Sequence, residues 1–125
     1  MKRMWASFVI PGTPPSVNHY KARGRTGYYR RDTADSWYAT VAAIAHGQTV
    51  ADRHCNYEVE AVVYLGPKQK GDLDNFAKCL CDSLVLAGVI DTDARVTRLL
   101  LVKCRDGEAR TAVRVMAVPK KGAPK

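Results

Sequence analysis

Two aspartates and a lysine lie close together in the stretch GDLDNFAKCLCDSL, residues 71–84. Asp72 and Asp74 crowd negative charge, which is unfavourable unless a cation neutralises it. Mg²⁺ meets that need, because it prefers one or two carboxylates together with waters and phosphate oxygens. Such an ion polarises a phosphodiester and lowers the pKa of a bound water, and Lys78 would offset charge that develops on the phosphate. The cluster therefore predicts phosphodiester hydrolysis.

The same cluster also has a simpler interpretation as a helix start. Aspartates cap open N–H groups and oppose the helix macrodipole, and Lys78 would form surface pairs with Asp74 and Asp82 at a spacing of four residues. Capping alone does not explain why two more acids, Asp91 and Asp93, follow the far end of the same helix. That helix would be about 20 Å long. Because a five-residue return spans about 17 Å when extended, the acidic turn can fold back along it.

The hydrophobic pattern predicts six elements in the order β-α-β-α-β-β, an α+β fold with helices packed on a mixed four-stranded sheet. The predicted strands cover residues 3–10, 57–65, 96–104 and 109–118. The predicted helices run from Asp32 or Thr33 to about Ala45 or Gln48, and from Asp72 or Leu73 to about Ala87. We expect a single domain without internal repeats or a linker.

Several local signals place the connections and the core. The segment between the first strand and about Arg30 predicts a loop or hairpin, and Gly88 is expected just after the second helix. The Asp-Gly pair in RDGE, residues 105–108, predicts a tight hairpin between the last two strands. The predicted buried residues are Trp37, Val41, Ile44 and Ala45 on the first helix, Phe76, Leu80, Leu84 and Ala87 on the second, and Trp5 on the first strand.

The charge distribution indicates a polyanionic partner. Twenty Lys and Arg against twelve Asp and Glu give a net charge of +8, which favours polyanion binding by counterion release. Residues 19–31, HYKARGRTGYYRR, contain three tyrosines and no acid, and aromatic rings among cations suit unpaired bases and phosphates. The expected DNA contacts are Lys21, Arg23, Arg25, Arg30 and Arg31, with Lys68 and Lys70 in a second basic loop.

The remaining composition narrows the class of protein. No apolar run approaches the roughly 18 residues that span a bilayer, and the N-terminus lacks a small-residue cleavage site, so we expect neither a membrane span nor a secretory signal. The spacing of Cys55, Cys79, Cys81 and Cys104 fits no zinc pattern and favours small buried thiols in a reducing compartment. These features predict a cytoplasmic protein.

The motif GDLDNFAKCLCDSLVLAGVIDTDARV, together with PPSVNHY and GRTGYY, resembles the RusA family of Holliday-junction resolvases over most of residues 8–118. The resemblance implies a nuclease domain over residues 1–118 and a flexible basic tail over 119–125. It implies a homodimer that uses Mg²⁺, with Mn²⁺ as a substitute, and nicks four-way or branched DNA in paired fashion during recombination and repair. It also implies a bacterial, prophage or phage origin, no membrane partner and no small-molecule cofactor.

The resemblance also implies roles for individual residues. It places metal-ligand roles on Asp72, Asp74 and Asp93 and a catalytic role on Lys78. The family's turn usually has adjacent acids, whereas Thr92 separates them here, and counting from Gly88 puts Asp93 at the ligand position with Asp91 as the alternative. Supporting roles fall on Asn18, Asn75, Asp82 and Asp91.

A second function remains compatible with the sequence, namely a non-catalytic basic module that binds branched or single-stranded DNA. The acidic cluster separates the two hypotheses, because carboxylates that face phosphate repel it and bring no advantage to a pure binder. Replacing Asp74 by Asn distinguishes them experimentally, since a nuclease would lose cleavage and keep junction binding.

Overall fold

The computed structural model describes residues 4–15, 27–48, 50–51, 55–67 and 73–119, with only the backbone given for residues 27–34 and for Asn75. Its elements are β1 (Trp5–Pro11), α1 (Gly27–Ala45), β2 (Cys55–Leu65), α2 (Leu73–Leu86), a 3₁₀ turn (Asp93–Arg95), β3 (Val96–Arg105) and β4 (Arg110–Pro119). This order confirms the predicted α+β fold. Within the described ranges, no helix is both long and apolar enough to cross a membrane. The predicted tail beyond Pro119 lies outside the described residues.

The sheet places β2 in an interior position, in the strand order β1-β4-β2-β3. β4 is antiparallel to both β1 and β2, and β3 is parallel to β2. Along β2 every second residue is buried, from Cys55 to Leu65, which is the period of two that a sheet with one covered face imposes. The prediction that this strand is central is therefore confirmed.

The predicted hairpin between the last two strands is wrong. β3 and β4 lie on opposite sides of β2, because Leu65 pairs with Arg105 of β3 and Tyr64 pairs with Arg110 of β4. The connection, residues 106–109, passes the end of β2. Strands on either side of a third are about 10 Å apart, a distance that four residues span. The Asp-Gly pair does mark a turn, with Gly107 at φ +106°, but a local signal does not identify neighbouring strands.

The start of α1 also differs from the prediction. The helix begins at Gly27, five residues before the predicted cap at Asp32, so the segment predicted as loop up to Arg30 is helical in its last residues. No proline or further glycine interrupts the sequence from Tyr28 to Arg31, and arginine is a good helix former, so nothing stops the helix from extending back to Gly27. The earlier part of the basic segment, residues 16–26, lies outside the described residues.

The core lies between the helices and one face of the sheet. The predicted stripes are largely confirmed, since Trp37, Val41 and Ala45 of α1 and the corresponding apolar residues of α2, Phe76, Leu80 and Leu84, are buried. Ile44 and Ala87 pack against this core as partly buried residues. The burial of these side chains supplies the main force that fixes α2 on the sheet.

The C-terminus of α2 is closed by a Schellman motif. Gly88 has φ +80°, as predicted for the residue that follows the helix, and its N–H donates to the carbonyl oxygen of Val85 at 3.0 Å. The N–H of Val89 donates to the carbonyl oxygen of Leu84, also at 3.0 Å. These two bonds define the motif and reverse the chain. Val89 and Ile90 are then buried, which anchors the approach to the acidic residues.

The sheet face opposite the helices carries exposed apolar side chains. Val9, Ala112, Val62 and Val102 stand side by side in a row across all four strands. Val9 and Val102 are exposed, as are Trp5, Leu100 and Met116 on the same face. The prediction of Trp5 as a core residue is wrong, because its side chain is 52% exposed. The alternation of β1 points Ala6, Phe8 and Ile10 towards the helices, which turns Trp5 outward.

Candidate active site at helix α2 and the acidic turn

The first turn of α2 carries the described part of the aspartate pair. The helix begins at Leu73, and Asp74 is exposed in its first turn, where a negative charge also opposes the helix macrodipole. Asp72 lies outside the described residues, and the side chain of Asn75 is not described. An exposed carboxylate at a helix start is able to meet an ion or a phosphate from solvent.

Asp74, Lys78 and Asp82 follow one another at intervals of four residues and so share a face of α2. Lys78 Nζ donates to both carboxylate oxygens of Asp82, at 3.3 Å each. The Lys78 side chain is 56% exposed, so this pair contributes only a few tenths of a kcal/mol. Lys78 is thus on the predicted side of the helix, and its contact with Asp82 is weak enough to be exchanged for a phosphate.

The acidic turn folds back along α2. The 3₁₀ turn contacts α2, and Asp82, Asp91 and Asp93 line one pocket of about 360 Å³ with Tyr38, Val85, Leu86 and Thr92. The turn therefore folds back along α2, but only as far as Asp82. It brings Asp93 to the level of Asp82, which lies about 12 Å along the helix axis from Asp74 at 1.5 Å per residue.

Asp91 is engaged on both sides of its carboxylate. The Tyr57 hydroxyl donates to Asp91 Oδ1 at 3.2 Å and accepts from the Asp91 N–H at 3.3 Å. Arg95 Nη1 donates to the other oxygen, Oδ2, at 2.8 Å. Burial raises the pKa of the Tyr57 hydroxyl, which keeps it protonated as a donor. Asp91 therefore acts as a structural acceptor inside the turn.

Asp93 differs from Asp91 in its side-chain contacts. It is exposed and forms no hydrogen bond or ion pair through its side chain with another described residue. The backbone around it is fixed, because Thr92 Oγ1 accepts from the Ala94 N–H at 3.2 Å. Burial, and then the charge of Asp93, raise the pKa of Cys81 to about 11. Asp93 also lines a pocket with Asp82 and Val85, so it lies against this part of α2.

The available ligand groups fit a hard cation. Asp74 and Asp93 offer carboxylate oxygens, the groups that Mg²⁺ prefers. Burial raises the pKa of Cys79 to about 12 and contributes most to the raised pKa of Cys81, so both thiols stay protonated at neutral pH and do not offer thiolates to a softer metal. Among the described residues, no three His, Cys, Asp or Glu side chains are grouped closely enough to hold an ion. Asp72, the remaining predicted ligand, is outside that set.

The predicted DNA contacts remain predictions. Arg30 and Arg31 lie within α1, but their side chains are not described. The other predicted basic contacts and one supporting residue lie outside the described residues, namely Asn18, Lys21, Arg23, Arg25, Lys68 and Lys70.

The sequence interpretation missed Tyr57 and Arg95 as parts of the site. Tyr57 lies in a strand of alternating burial, and that pattern predicts an ordinary core residue. Its hydroxyl contacts Asp91, which is 34 positions away in sequence. The available signal was chemical, because a fully buried tyrosine needs a hydrogen-bond partner for its hydroxyl. Arg95 follows Asp91 by four residues, which places opposite charges within reach across a turn.

Comparison with known proteins adds one finding. The model of a family described as Endodeoxyribonuclease RusA matches residues 11–116 of the 125 residues. The matched range extends from the last residue of β1 into β4 and contains both α2 and the acidic turn. No curated protein matches the chain.

Proposed function

The chain belongs to the RusA family of endodeoxyribonucleases, and from this premise we propose that it resolves Holliday junctions by metal-dependent hydrolysis of DNA phosphodiesters in recombination and repair. The observation that carries the proposal is that Asp74 and Asp93 are both exposed and that neither carboxylate forms a hydrogen bond or ion pair with another described residue. The acidic turn folds back on α2 and presents a carboxylate without a side-chain partner among the described residues, on the same helix whose first turn exposes Asp74. A basic chain has no reason to keep such charges facing DNA unless they bind a cation.

Each residue has a defined part in the proposed reaction. Asp72, Asp74 and Asp93 would hold Mg²⁺, or Mn²⁺ in its place, which requires the Asp93 carboxylate to approach Asp74 from the level of Asp82. The bound ion supplies Lewis-acid activation of the phosphate and of an attacking water. Lys78 exchanges its weak contact with Asp82 for the scissile phosphate and offsets the negative charge of the transition state. The cations at 21–31 and at Lys68 and Lys70 hold the DNA backbone.

The same proposal includes a homodimer, since two nicks placed symmetrically across a junction need two sites related by a two-fold axis. The uncovered sheet face is the surface that suits a second copy. It combines the apolar row around Val62 with charges of both signs, Glu58 and Glu60 on β2 and Arg98 and Arg114 on β3 and β4. Because Arg98 pairs with Glu60 at 2.9 Å and lies 4.0 Å from Glu58 within the chain, the charges of this face largely cancel, so the face does not attract DNA and can bury its apolar row against a second copy.

The oligomeric state tests this surface. Val102→Glu introduces a charge at a side chain that is 42% exposed, so the fold of the single chain tolerates it. We expect the molar mass from light scattering to fall from two chains to one. Ala43→Glu, on the exposed side of α1, is the matched control and should leave the mass unchanged. An unchanged mass for Val102→Glu would place the dimer contact elsewhere.

The Asp74→Asn variant tests the catalytic proposal. It removes one negative charge from a metal ligand at nearly constant shape. We expect cleavage of a synthetic four-way junction in Mg²⁺ to be lost while junction binding, measured by gel shift in Ca²⁺ or EDTA, is retained or tightened. Asp35→Asn makes the same change at an exposed residue of α1 and should cleave within about twofold of the wild type. Normal cleavage by Asp74→Asn would remove this residue from the metal site.

The competing function is a non-catalytic binder of branched or single-stranded DNA. One observation favours it, namely that Asp93 lies beside Asp82 and not at the first turn of α2, so the described residues hold no group of three ligands. A wild-type chain that binds four-way junctions and cuts none of them in Mg²⁺ or Mn²⁺ would establish this function in place of the first.

A further inference from the structure

Tyr57 joins the buried centre of the sheet to the acidic turn. Its side chain is fully buried on the helix side of β2, yet its hydroxyl reaches both the carboxylate and the backbone N–H of Asp91. One hydroxyl thereby fixes the main chain and the side chain of the same residue. Since the ring is packed in the core, this pair of bonds ties the turn to the most rigid part of the fold.

The backbone around Tyr57 is adapted to the same contact. The register between β2 and β3 shifts at this point, because Tyr57 pairs with Val96 while Glu58 pairs with Arg98. The extra residue, Thr97, donates from its hydroxyl to the Tyr57 carbonyl oxygen at 3.3 Å. A bulge of this kind redirects the strand beside a site. Tyr57 is therefore tied to the chain on both sides of the 3₁₀ turn.

Arg95 completes the arrangement from the solvent side. Its guanidinium is 2.8 Å from Asp91 Oδ2, and both side chains are more than two-thirds buried, which makes this ion pair stronger than the Lys78–Asp82 pair on the open helix face. Tyr57 and Arg95 together engage both oxygens of Asp91. The positive charge of Arg95 at this carboxylate also opposes the binding of a divalent cation there.

We propose that Tyr57, Asp91 and Arg95 form a brace that positions Asp93 for metal binding, and that Asp91 is a positioning residue and not a ligand. The inference deepens the proposed function and rests on it. The brace holds residue 91 and the Thr92 cap holds residue 94. Asp93 between them has a fixed backbone and a carboxylate without a partner among the described residues. Thr92 separates the two acids and supplies the cap from an extended backbone, with φ −161° and ψ 145°.

The test compares two tyrosine-to-phenylalanine changes in the same strand. Tyr57→Phe keeps the buried ring and removes only the hydroxyl. Tyr64→Phe is the matched control, because Tyr64 lies on the opposite face of β2 and its ring stacks with the Arg110 guanidinium at 3.8 Å, a contact that phenylalanine retains. Mn²⁺ binding to the full-length protein is measured by electron paramagnetic resonance, and hydrogen exchange of the 91–95 amides is followed without metal.

We expect Tyr57→Phe to raise the Mn²⁺ dissociation constant by up to about tenfold, the lower limit for a direct partner of a ligand, because Tyr57 acts on Asp93 only through Asp91. The same change should accelerate exchange at Ala94 and Arg95. Tyr64→Phe should match the wild type in both measurements. Arg95→Met loosens the brace from the solvent side and should shift both readouts in the same direction by a smaller factor, which keeps the test decisive if Tyr57→Phe does not fold.

Equal Mn²⁺ affinity in Tyr57→Phe and Tyr64→Phe would overturn the brace, even if the turn exchanges faster, because the hydroxyl would then be merely structural. Loss of the wild-type affinity in Asp91→Asn but not in Asp93→Asn would overturn it as well, by making Asp91 the ligand. Failure of the proposed function gives a different result. In that case the wild-type protein would not cleave junctions, while its metal binding would still depend on Tyr57.

Discussion

The two acidic regions of the site, the start of α2 and the turn at residues 91–95, are held in place by different means. Asp74 forms no side-chain hydrogen bond or ion pair with another described residue, and only the helix that carries it determines its position. The turn, by contrast, is not part of an α-helix. Side chains fix it instead, through Tyr57 and Arg95 on Asp91 and through the Thr92 hydroxyl.

This difference indicates which charges are free to act. A helix supplies its own rigidity through backbone hydrogen bonds, so a carboxylate in its first turn needs no further support to stay in place. An irregular turn needs some of its polar side chains to hold its own backbone in place, and Asp91 has that role here. The carboxylate left over in each region, Asp74 in one and Asp93 in the other, is the one available to a ligand.

The largest expected effect separates the two acids of the turn. We expect Asp93→Asn to lower the single-turnover rate of junction cleavage by about 10²–10³-fold, because it removes a direct ligand of the ion that stabilises the transition state. Asp91→Asn should lower it only about tenfold, because it weakens a positioning contact. Both rates are measured at saturating Mg²⁺ on a synthetic four-way junction. A greater loss in Asp91→Asn would exchange the two roles.

A smaller effect is expected along the open face of α2. Lys78→Met should reduce the cleavage rate by about 10²-fold, because the transition state loses a positive charge. Asp82→Asn should change it by no more than about threefold, since the exposed pair with Lys78 is weak. Single-turnover rates again provide the measurement. Equal losses of cleavage rate in Asp82→Asn and Lys78→Met would mean that Asp82 positions Lys78, as the brace positions Asp93.

The features that could be predicted from the sequence are those that depend on neighbouring residues. The element order, the buried stripe of α2 and the role of Gly88 all follow from the helical period and from a glycine that accepts positive φ. These inferences required no knowledge of which strands are adjacent. The metal-ligand roles of the aspartates stay a prediction, because Asp72 lies outside the described residues.

The features that could not be predicted depend on contacts between distant parts of the chain. The Asp-Gly turn after β3 gave no sign that β2 separates β3 from β4. The contact between Tyr57 and Asp91 joins residues 34 positions apart, and alternation in β2 explains the burial of Tyr57 without it. The position reached by Asp93 beside Asp82 depends on the path of the chain after Gly88, which spacing bounds but does not determine.

The thiols between the two regions predict a loss of stability at alkaline pH. Burial raises the pKa of Cys79 to about 12 and that of Cys81, with a further contribution from Asp93, to about 11, against an unfolded value of 9.0. The folded state therefore retains protons that the unfolded state releases, so this stability is complete below about pH 9 and declines as the pH rises through the folded pKa values. The slope is at most about 1.4 kcal/mol per pH unit for each thiol.

Urea unfolding at pH 8 and at pH 10.5 measures that decline. Cys81→Ala removes one of the two thiols and should flatten the pH dependence, whereas Cys104→Ala, at a partly exposed position on the last part of β3, should leave the slope unchanged. An equal slope in Cys81→Ala would mean that burial does not raise the pKa of the Cys81 thiol in the folded state.

The smallest expected effect tests whether the path into the turn matters separately from overall stability. Gly88→Ala should lower the free energy of unfolding by about 1 kcal/mol, because φ is +80° while an added Cβ meets no atom within 4 Å. Gly47→Ala is the matched control, since Gly47 has φ +86° and equal space but follows α1. Urea unfolding should give similar losses for both variants. Mn²⁺ affinity should weaken only in Gly88→Ala, because only that glycine directs the chain towards Asp91 and Asp93. Equal Mn²⁺ affinity in the two variants would show that the brace alone sets the position of Asp93.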